Sequence, residues 1–238
     1  MGHAFEETDE VELAGVTPEQ VWEAIATGPG IDSWFMGSNE VEAGVAVKGA
    51  FGHYEPRQGV TAWEPGRHLA FGGEREPDGR FLAYEFLVEG RERGSTVLRV
   101  VTSGFLPGDD WHDEFEAMLA GGTMFRRTLV EYLEHFTGRT ARPVTAFGPP
   151  VRDWPALWTA LHRELGLADA PRRGDAVAVD GIPGVVYYAN AQTVGIRTPD
   201  AMYRFFQGFN GGLIAMHHVF TDDGRDERSW SSWLGGLS

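Results

Sequence analysis

The 238-residue chain has no cysteine, which removes disulfides, thiolate metal sites and a cysteine nucleophile. It has no apolar run near the roughly 20 residues that cross a bilayer. Its start, Met1-Gly2-His3-Ala4-Phe5-Glu6-Glu7, carries neither the basic nor the apolar region of a secretory leader. A cytoplasmic protein without membrane insertion is the expectation. Basic residues are scarce: 20 Lys and Arg stand against 35 Asp and Glu, a net charge of −15. Such a polyanion repels phosphate backbones, so no nucleic-acid partner is expected. The acidic stretches at Glu6 to Glu10, Asp109 to Glu116 and Thr221 to Glu227 read as solvated surface. A glycine-rich phosphate loop, a His-Glu-x-x-His zinc motif, a nucleophile elbow and a calcium loop are absent too, and with them go the enzyme classes those motifs announce. No cofactor and no metal are expected.

What is present is apolar and aromatic: 42% hydrophobic and 12% Phe, Trp and Tyr, enough for one large domain or two small ones. Glu10-Val11-Glu12-Leu13 alternates as a strand. Thr17 is a natural N-cap, Pro18 needs no amide partner, and Gln20 completes a capping box, predicting a helix over Pro18 to Ala26. Gly28-Pro29-Gly30 ends it, and Ile31 to Phe35 adds one further turn before the chain extends. Strands are then predicted at Val45 to Tyr54, Gly59 to Glu64, Arg67 to Gly73, Phe81 to Glu89 and Ser95 to Gly104. Turns at Pro65-Gly66, Asp78-Gly79 and Glu92-Arg93-Gly94 separate several of them. Connections this short make antiparallel neighbours.

Parity assigns faces, because successive strand side chains point to opposite sides. Leu82, Tyr84, Phe86 and Val88 form an inward set opposed to Glu85 and Glu89. By the same test Leu98, Val100 and Thr102 oppose Arg99, Leu69 and Phe71 oppose His68, and Val47, Phe51 and His53 oppose Lys48. Beyond Gly108, Asp109-Asp110 suits the N-terminus of a long helix ending near Thr137-Gly138. Trp111, Phe115, Met118, Phe125, Leu129 and Leu133 give it one apolar face, and Gly121-Gly122 weakens or kinks it. Proline and glycine at Arg142-Pro143 and Gly148-Pro149-Pro150 read as a linker over 139–152. It divides a first domain, 1–138, from a C-terminal α+β segment, 153–238. That segment resembles a truncated echo of the first part, Asp153-Trp154-Pro155-Ala156-Leu157-Trp158 being similar to Thr17-Pro18-Glu19-Gln20-Val21-Trp22, with a degenerate internal repeat as one reading and an unrelated α+β addition as the other.

Three stretches carry a resemblance to a known family. They are Trp34 after the two helices, the hairpin Trp63-Glu64-Pro65-Gly66-Arg67-His68-Leu69-Ala70-Phe71, and Thr102-Ser103-Gly104-Phe105 before the long helix. From about Phe5 to Gly138 the chain resembles the START-like, or SRPBCC, superfamily, in the branch of activator of heat-shock-protein ATPase homologues and polyketide cyclase-like proteins. The resemblance implies an α+β helix-grip fold, a curved antiparallel sheet wrapped around a long C-terminal helix. It also implies an internal cavity for a hydrophobic small molecule such as a lipid, a polyketide or an aromatic metabolite. Residues beyond Pro150 lie outside the common pattern.

On that reading the ligand-binding set is Trp34, Phe51, His53, Phe71, Tyr84, Phe86, Trp111, Phe115 and Met118. The same aromatics also suit an ordinary packed core. A cyclase-like enzyme would use His53, Tyr84 or His112 to move a proton, although acidic and polar residues beside His112 are expected at a helix start for dipole reasons alone. A protein-interaction module with a chaperone partner, or a homodimer, is a further alternative. His217-His218 near Asp222-Asp223 is the nearest approach to a metal cluster, but adjacent strand residues face opposite ways.

Overall fold

The Thr17 hydroxyl accepts from the Gln20 amide at 3.3 Å, and the Gln20 side chain accepts from the Thr17 amide at 2.8 Å. Helix α1 (Pro18–Ala26) therefore starts where the capping box places it. The next helix differs from expectation. Helix α2 is Gly28–Asp32, so the glycines lie inside it, and Thr27 caps it by accepting from the Gly30 amide at 3.0 Å. Packing explains the glycines. A Cβ on Gly28 would strike the Asn39 carbonyl oxygen, and one on Gly30 would strike that of Glu23.

The computed structural model describes residues 2–52, 55–92, 94–108, 111–168, 170–208, 211–221 and 225–237, in two units, Met1–Thr140 and Ala141–Ser238. Among the described residues no helix is long and apolar enough to cross a membrane.

The first unit is an α+β helix-grip fold. Its strands are β1 (His3–Ala14), β2 (Ser38–Glu42), β3 (Ala46–Ala50), β4 (Arg57–Glu64), β5 (His68–Gly72), β6 (Phe81–Arg91) and β7 (Ser95–Leu106), followed by α3 (Trp111–His135). They form one antiparallel sheet in the order β1-β7-β6-β5-β4-β3-β2. Strand β1 is longer than its alternating tetrapeptide suggested, because its whole length pairs with β7, from His3 opposite Leu106 to Ala14 opposite Ser95. Ladder hydrogen bonds override the poor strand propensity of its acidic run. Strand β2 had no clear sequence signal. Helix α3 runs unbroken through Gly121-Gly122, and the proposed Asp109-Asp110 cap lies outside the described residues.

In the second unit the order is β8 (Arg142–Pro150), α4 (Trp154–Glu164), β9 (Ala176–Val179), β10 (Ile182–Asn190), β11 (Thr193–Arg197), β12 (Ala201–Gln207), β13 (Gly212–Val219) and α5 (Glu227–Gly235). Most of the stretch read as a linker is thus a strand. Strand β8 pairs with β13 at the edge of a six-stranded sheet ordered β8-β13-β12-β11-β10-β9. An edge position tolerates the prolines that hid it, and its alternation is real, with Val144 and Ala146 buried and Phe147 exposed. Both sheets share one connectivity, in which the first strand pairs with the last and the rest descend as a meander. A capped helix with proline in its first turn follows the first strand in each.

Candidate functional site

One face of the seven-stranded sheet is the interior. Leu13, Leu69, Phe71, Phe86, Val88, Leu98 and Val100 are all buried on it, as parity requires. Register arranges this face in rows. Phe71 stands opposite Tyr84, Tyr84 opposite Thr102, and Thr102 opposite Glu7. The neighbouring row runs Leu69, Phe86, Val100 and Asp9. The Phe71 ring lies 5.6 Å from Tyr84 and 6.0 Å from Phe86, spacings at which aromatic pairs attract beyond their area burial.

Helix α3 meets this face from several directions. Trp111 stacks on His3 at 3.9 Å, Phe115 meets Phe5 at 5.2 Å, and Arg126 Nε donates to Asp9 Oδ2 at 2.7 Å. Phe125 reaches Phe35 at 4.5 Å, and Phe35 packs on Trp34 at 5.3 Å. Trp34 is buried, with its Nε1 donating to the Ala24 carbonyl at 2.9 Å, so its ring is a fixed wall.

Burial changes along α3. In its C-terminal half Met124, Leu129, Tyr132 and Leu133, with Phe136 just beyond its end, pack at 4% exposure or less. The Tyr132 hydroxyl donates to the Arg139 carbonyl at 3.0 Å, and burial pushes its pKa up. In the N-terminal half Trp111, Phe115, Met118, Leu119 and Ala120 are only half-buried, as are Phe51 and Tyr84 on the sheet. Asp32 secures the sealed end. It accepts from the Asn39 amide at 2.6 Å and from Asn39 Nδ2 at 2.9 Å, while burial raises its pKa.

The expected residues distribute as follows. Phe71, Tyr84 and Phe86 form one cluster, Trp111 and Phe115 another, Trp34 joins Phe35 and Phe125, and Phe51 and Met118 are half-buried. His53 lies outside the described residues. His112 is exposed and 3.3 Å from Glu116 one turn on, which places it among the solvent-facing groups of the helix. Sequence reasoning overlooked His3, Phe5, Glu7, Asp9 and Arg126. The signal for the first four was the odd-position parity of β1, masked by its acidic run.

Charge is uneven. The first unit holds eleven Lys and Arg against twenty-five Asp and Glu, so it carries −14 of the chain's −15. On the sheet's outward face, a shallow hollow is bordered by Pro18, Pro65, Arg67, His68 and Arg99, with His68 Nε2 2.7 Å from Glu85. Among the described residues, Glu131, Glu134 and His135 bring ligand atoms within 4.8 Å of one another near the end of α3.

The second unit is filled. Leu157, Leu161, Tyr203, Phe205, Trp230 and Leu234 share one core. His217 is fully buried within it, its ring 5.0 Å from Tyr203, 5.1 Å from Phe205 and 4.3 Å from Trp230. Its Nδ1 accepts the Arg204 backbone amide at 3.3 Å, so the neutral ring carries its proton on Nε2. Burial, then the Arg204 and Arg225 charges, push its pKa down to about 3. His218 faces the other way, with Nε2 2.7 Å from Arg204 Nη2. Burial lowers the Arg204 pKa to about 10, which leaves that side chain charged.

The fold and its interior define a helix-grip α+β chain with an aromatic concave face. No family model matches the chain, and no curated protein matches it. Among solved structures it is similar to protein MLL2253 from Mesorhizobium loti, at 22% identity over 55% of this chain and 98% of that one, TM-score 0.44. It is similar to Aha1 from Colwellia psychrerythraea, solved as a dimer, at 21% identity over 56% and 99%, TM-score 0.44. DynU16, a protein in the dynemicin biosynthetic locus, is similar at 18% identity over 98% and 96%, TM-score 0.45. At these scores the likeness carries no functional weight.

Proposed function

We propose that the first unit binds a small hydrophobic molecule, a lipid, polyketide or aromatic metabolite, between its concave sheet face and the N-terminal half of α3. On this reading the chain is a START-like ligand-binding protein of the branch its sequence resembles. The observation that carries it is the burial gradient. Phe51 and Tyr84 on the sheet side and Trp111, Phe115 and Met118 on the helix stay half-buried, while Met124, Leu129, Tyr132 and Leu133 further along α3 are sealed. Apolar surface left this way gains about 25 cal/mol per Å² when a ligand covers it. The proposed contacts are Phe51, Phe71, Tyr84, Phe86, Trp111, Phe115 and Met118, with Trp34 as end wall and His53 retained from the sequence.

Thermal unfolding with sterols, long-chain alcohols and aromatic polyketides tests this, alongside native mass spectrometry after mild extraction. A ligand at 100 times its Kd stabilises the chain by about 2.7 kcal/mol. Absence of any shift or adduct across the panel refutes the reading. The row Glu7, Thr102, Tyr84 favours a cyclase-like activity as the second reading, since it sets hydroxyls and a carboxylate beside an apolar surface. Tyr84→Phe would then abolish turnover while binding persists.

A further inference from the structure

Arg126 is held more firmly than a surface arginine. Its Nε donates to Asp9 Oδ2 at 2.7 Å and its Nη2 donates to Thr123 Oγ1 at 3.2 Å. Its side chain retains only 20% of its exposure. Nη1 makes no hydrogen bond among the described residues. It lies 3.0 Å from the point where a Cβ on Gly122 would stand, so glycine makes room for the guanidinium. One residue earlier, a methyl on Gly121 would meet nothing within 4 Å, so α3 borders open space here.

The three contacts of α3 with His3, Phe5 and Asp9 set the odd-numbered face of β1 against the helix. Glu7 lies on that same face between Phe5 and Asp9, and its row continues to Thr102 and Tyr84. The seam between β1 and α3 thus presents an oriented cation, one of its donor groups uncommitted, at the rim of an aromatic interior.

We propose that Arg126, positioned by Asp9 and Thr123, selects ligands that present a neutral oxygen acceptor, the carbonyl of a ketone, ester or quinone, to Nη1. The inference rests on the ligand-binding reading above and names the ligand chemistry of that site. Charge decides between a carbonyl and a carboxylate. Asp9 already balances the guanidinium, Glu7 adds a second carboxylate at the same seam, and the unit's net −14 repels anions.

Three probes of one shape test it on the full chain: 2-acetylnaphthalene, 2-ethylnaphthalene and 2-naphthoate, with affinities measured by fluorescence titration. The ketone should bind about tenfold more tightly than the hydrocarbon, the scale of one charge-assisted hydrogen bond after desolvation, and the anion should bind most weakly. Arg126→Met keeps the aliphatic stem and removes the head, so it should make ketone and hydrocarbon equal. Gly122→Ala keeps the charge but displaces Nη1, and should reduce the ketone preference at least threefold. Equal affinity of ketone and hydrocarbon in the unaltered chain, tighter binding of naphthoate, or a preference that survives both substitutions overturns the selection while leaving the ligand reading intact. Failure of all three probes to bind the unaltered chain overturns both.

Discussion

Neutral His217 in the core of the second unit makes stability depend on pH in a way that can be worked out. In the unfolded chain the imidazole titrates near 6.5, whereas burial among Tyr203, Phe205 and Trp230 and the nearby Arg204 and Arg225 charges bring it down to about 3 when folded. The folded pKa is the lower one, so only the unfolded state takes up a proton between those values. The stabilisation is complete above about pH 6.5 and drains away as pH falls toward 3. Between pH 7 and pH 5 the loss from this one group is about 2 kcal/mol, approaching about 1.4 kcal/mol per further pH unit. Most carboxylates remain ionised in that window, which keeps their contribution small.

The assay is urea unfolding at pH 7, 6 and 5, followed by far-ultraviolet circular dichroism, for the unaltered chain and for His217→Phe. The substitution forfeits the bond from the Arg204 amide, a cost of about 1 kcal/mol at every pH, but it removes the titration. The variant's unfolding free energy should therefore fall by about 2 kcal/mol less than the parent's between pH 7 and pH 5. Parallel pH dependences would refute the neutral, buried imidazole.

Three further outcomes concern the first unit. Gly121→Ala should raise stability by up to about 1 kcal/mol, because the helix gains propensity and the new methyl meets nothing within 4 Å. Gly30→Ala should lower it by more than about 2 kcal/mol through collision with the Glu23 carbonyl; differential scanning calorimetry of the pair checks both signs. Trp34→Phe should cost about 2 kcal/mol in urea unfolding, since it removes ring volume and leaves the buried Ala24 carbonyl without the indole donor.

Much of the fold was legible in the sequence because local chemistry and tertiary need agreed. Thr17 and Gln20 fixed α1, and parity placed Phe71, Phe86, Leu98 and Val100 inside. Errors arose where pairing partners supply what the local sequence withholds. The acidic β1 is a strand because β7 lies beside it, and the proline-bearing β8 is one because its edge position needs few amides. The candidate site was half legible for the same reason. Its sheet and helix aromatics announced themselves by periodicity, but Glu7, Asp9 and Arg126 meet only through the β1 and α3 packing, which no window of sequence contains.

The repeated topology gives the functional assignment an internal comparison. Each unit places a capped helix after its first strand, folds a meander that returns to pair with that strand, and closes with a helix. In the second, the closing helix α5 has nine residues, and its Trp230 and Leu234 complete a core in which even a histidine is sealed. In the first, α3 has twenty-five residues, and only its latter half is sealed. A helix that served solely to close the sheet could end within the length that α5 needs. The extra turns of α3 carry half-buried Trp111, Phe115 and Met118 toward the start of β1, where His3 and Phe5 meet the first two. There they leave apolar surface that water covers poorly. The same connectivity thus closes a filled core in one unit and leaves half-buried aromatics on α3 in the other, which is why the ligand is proposed for the first.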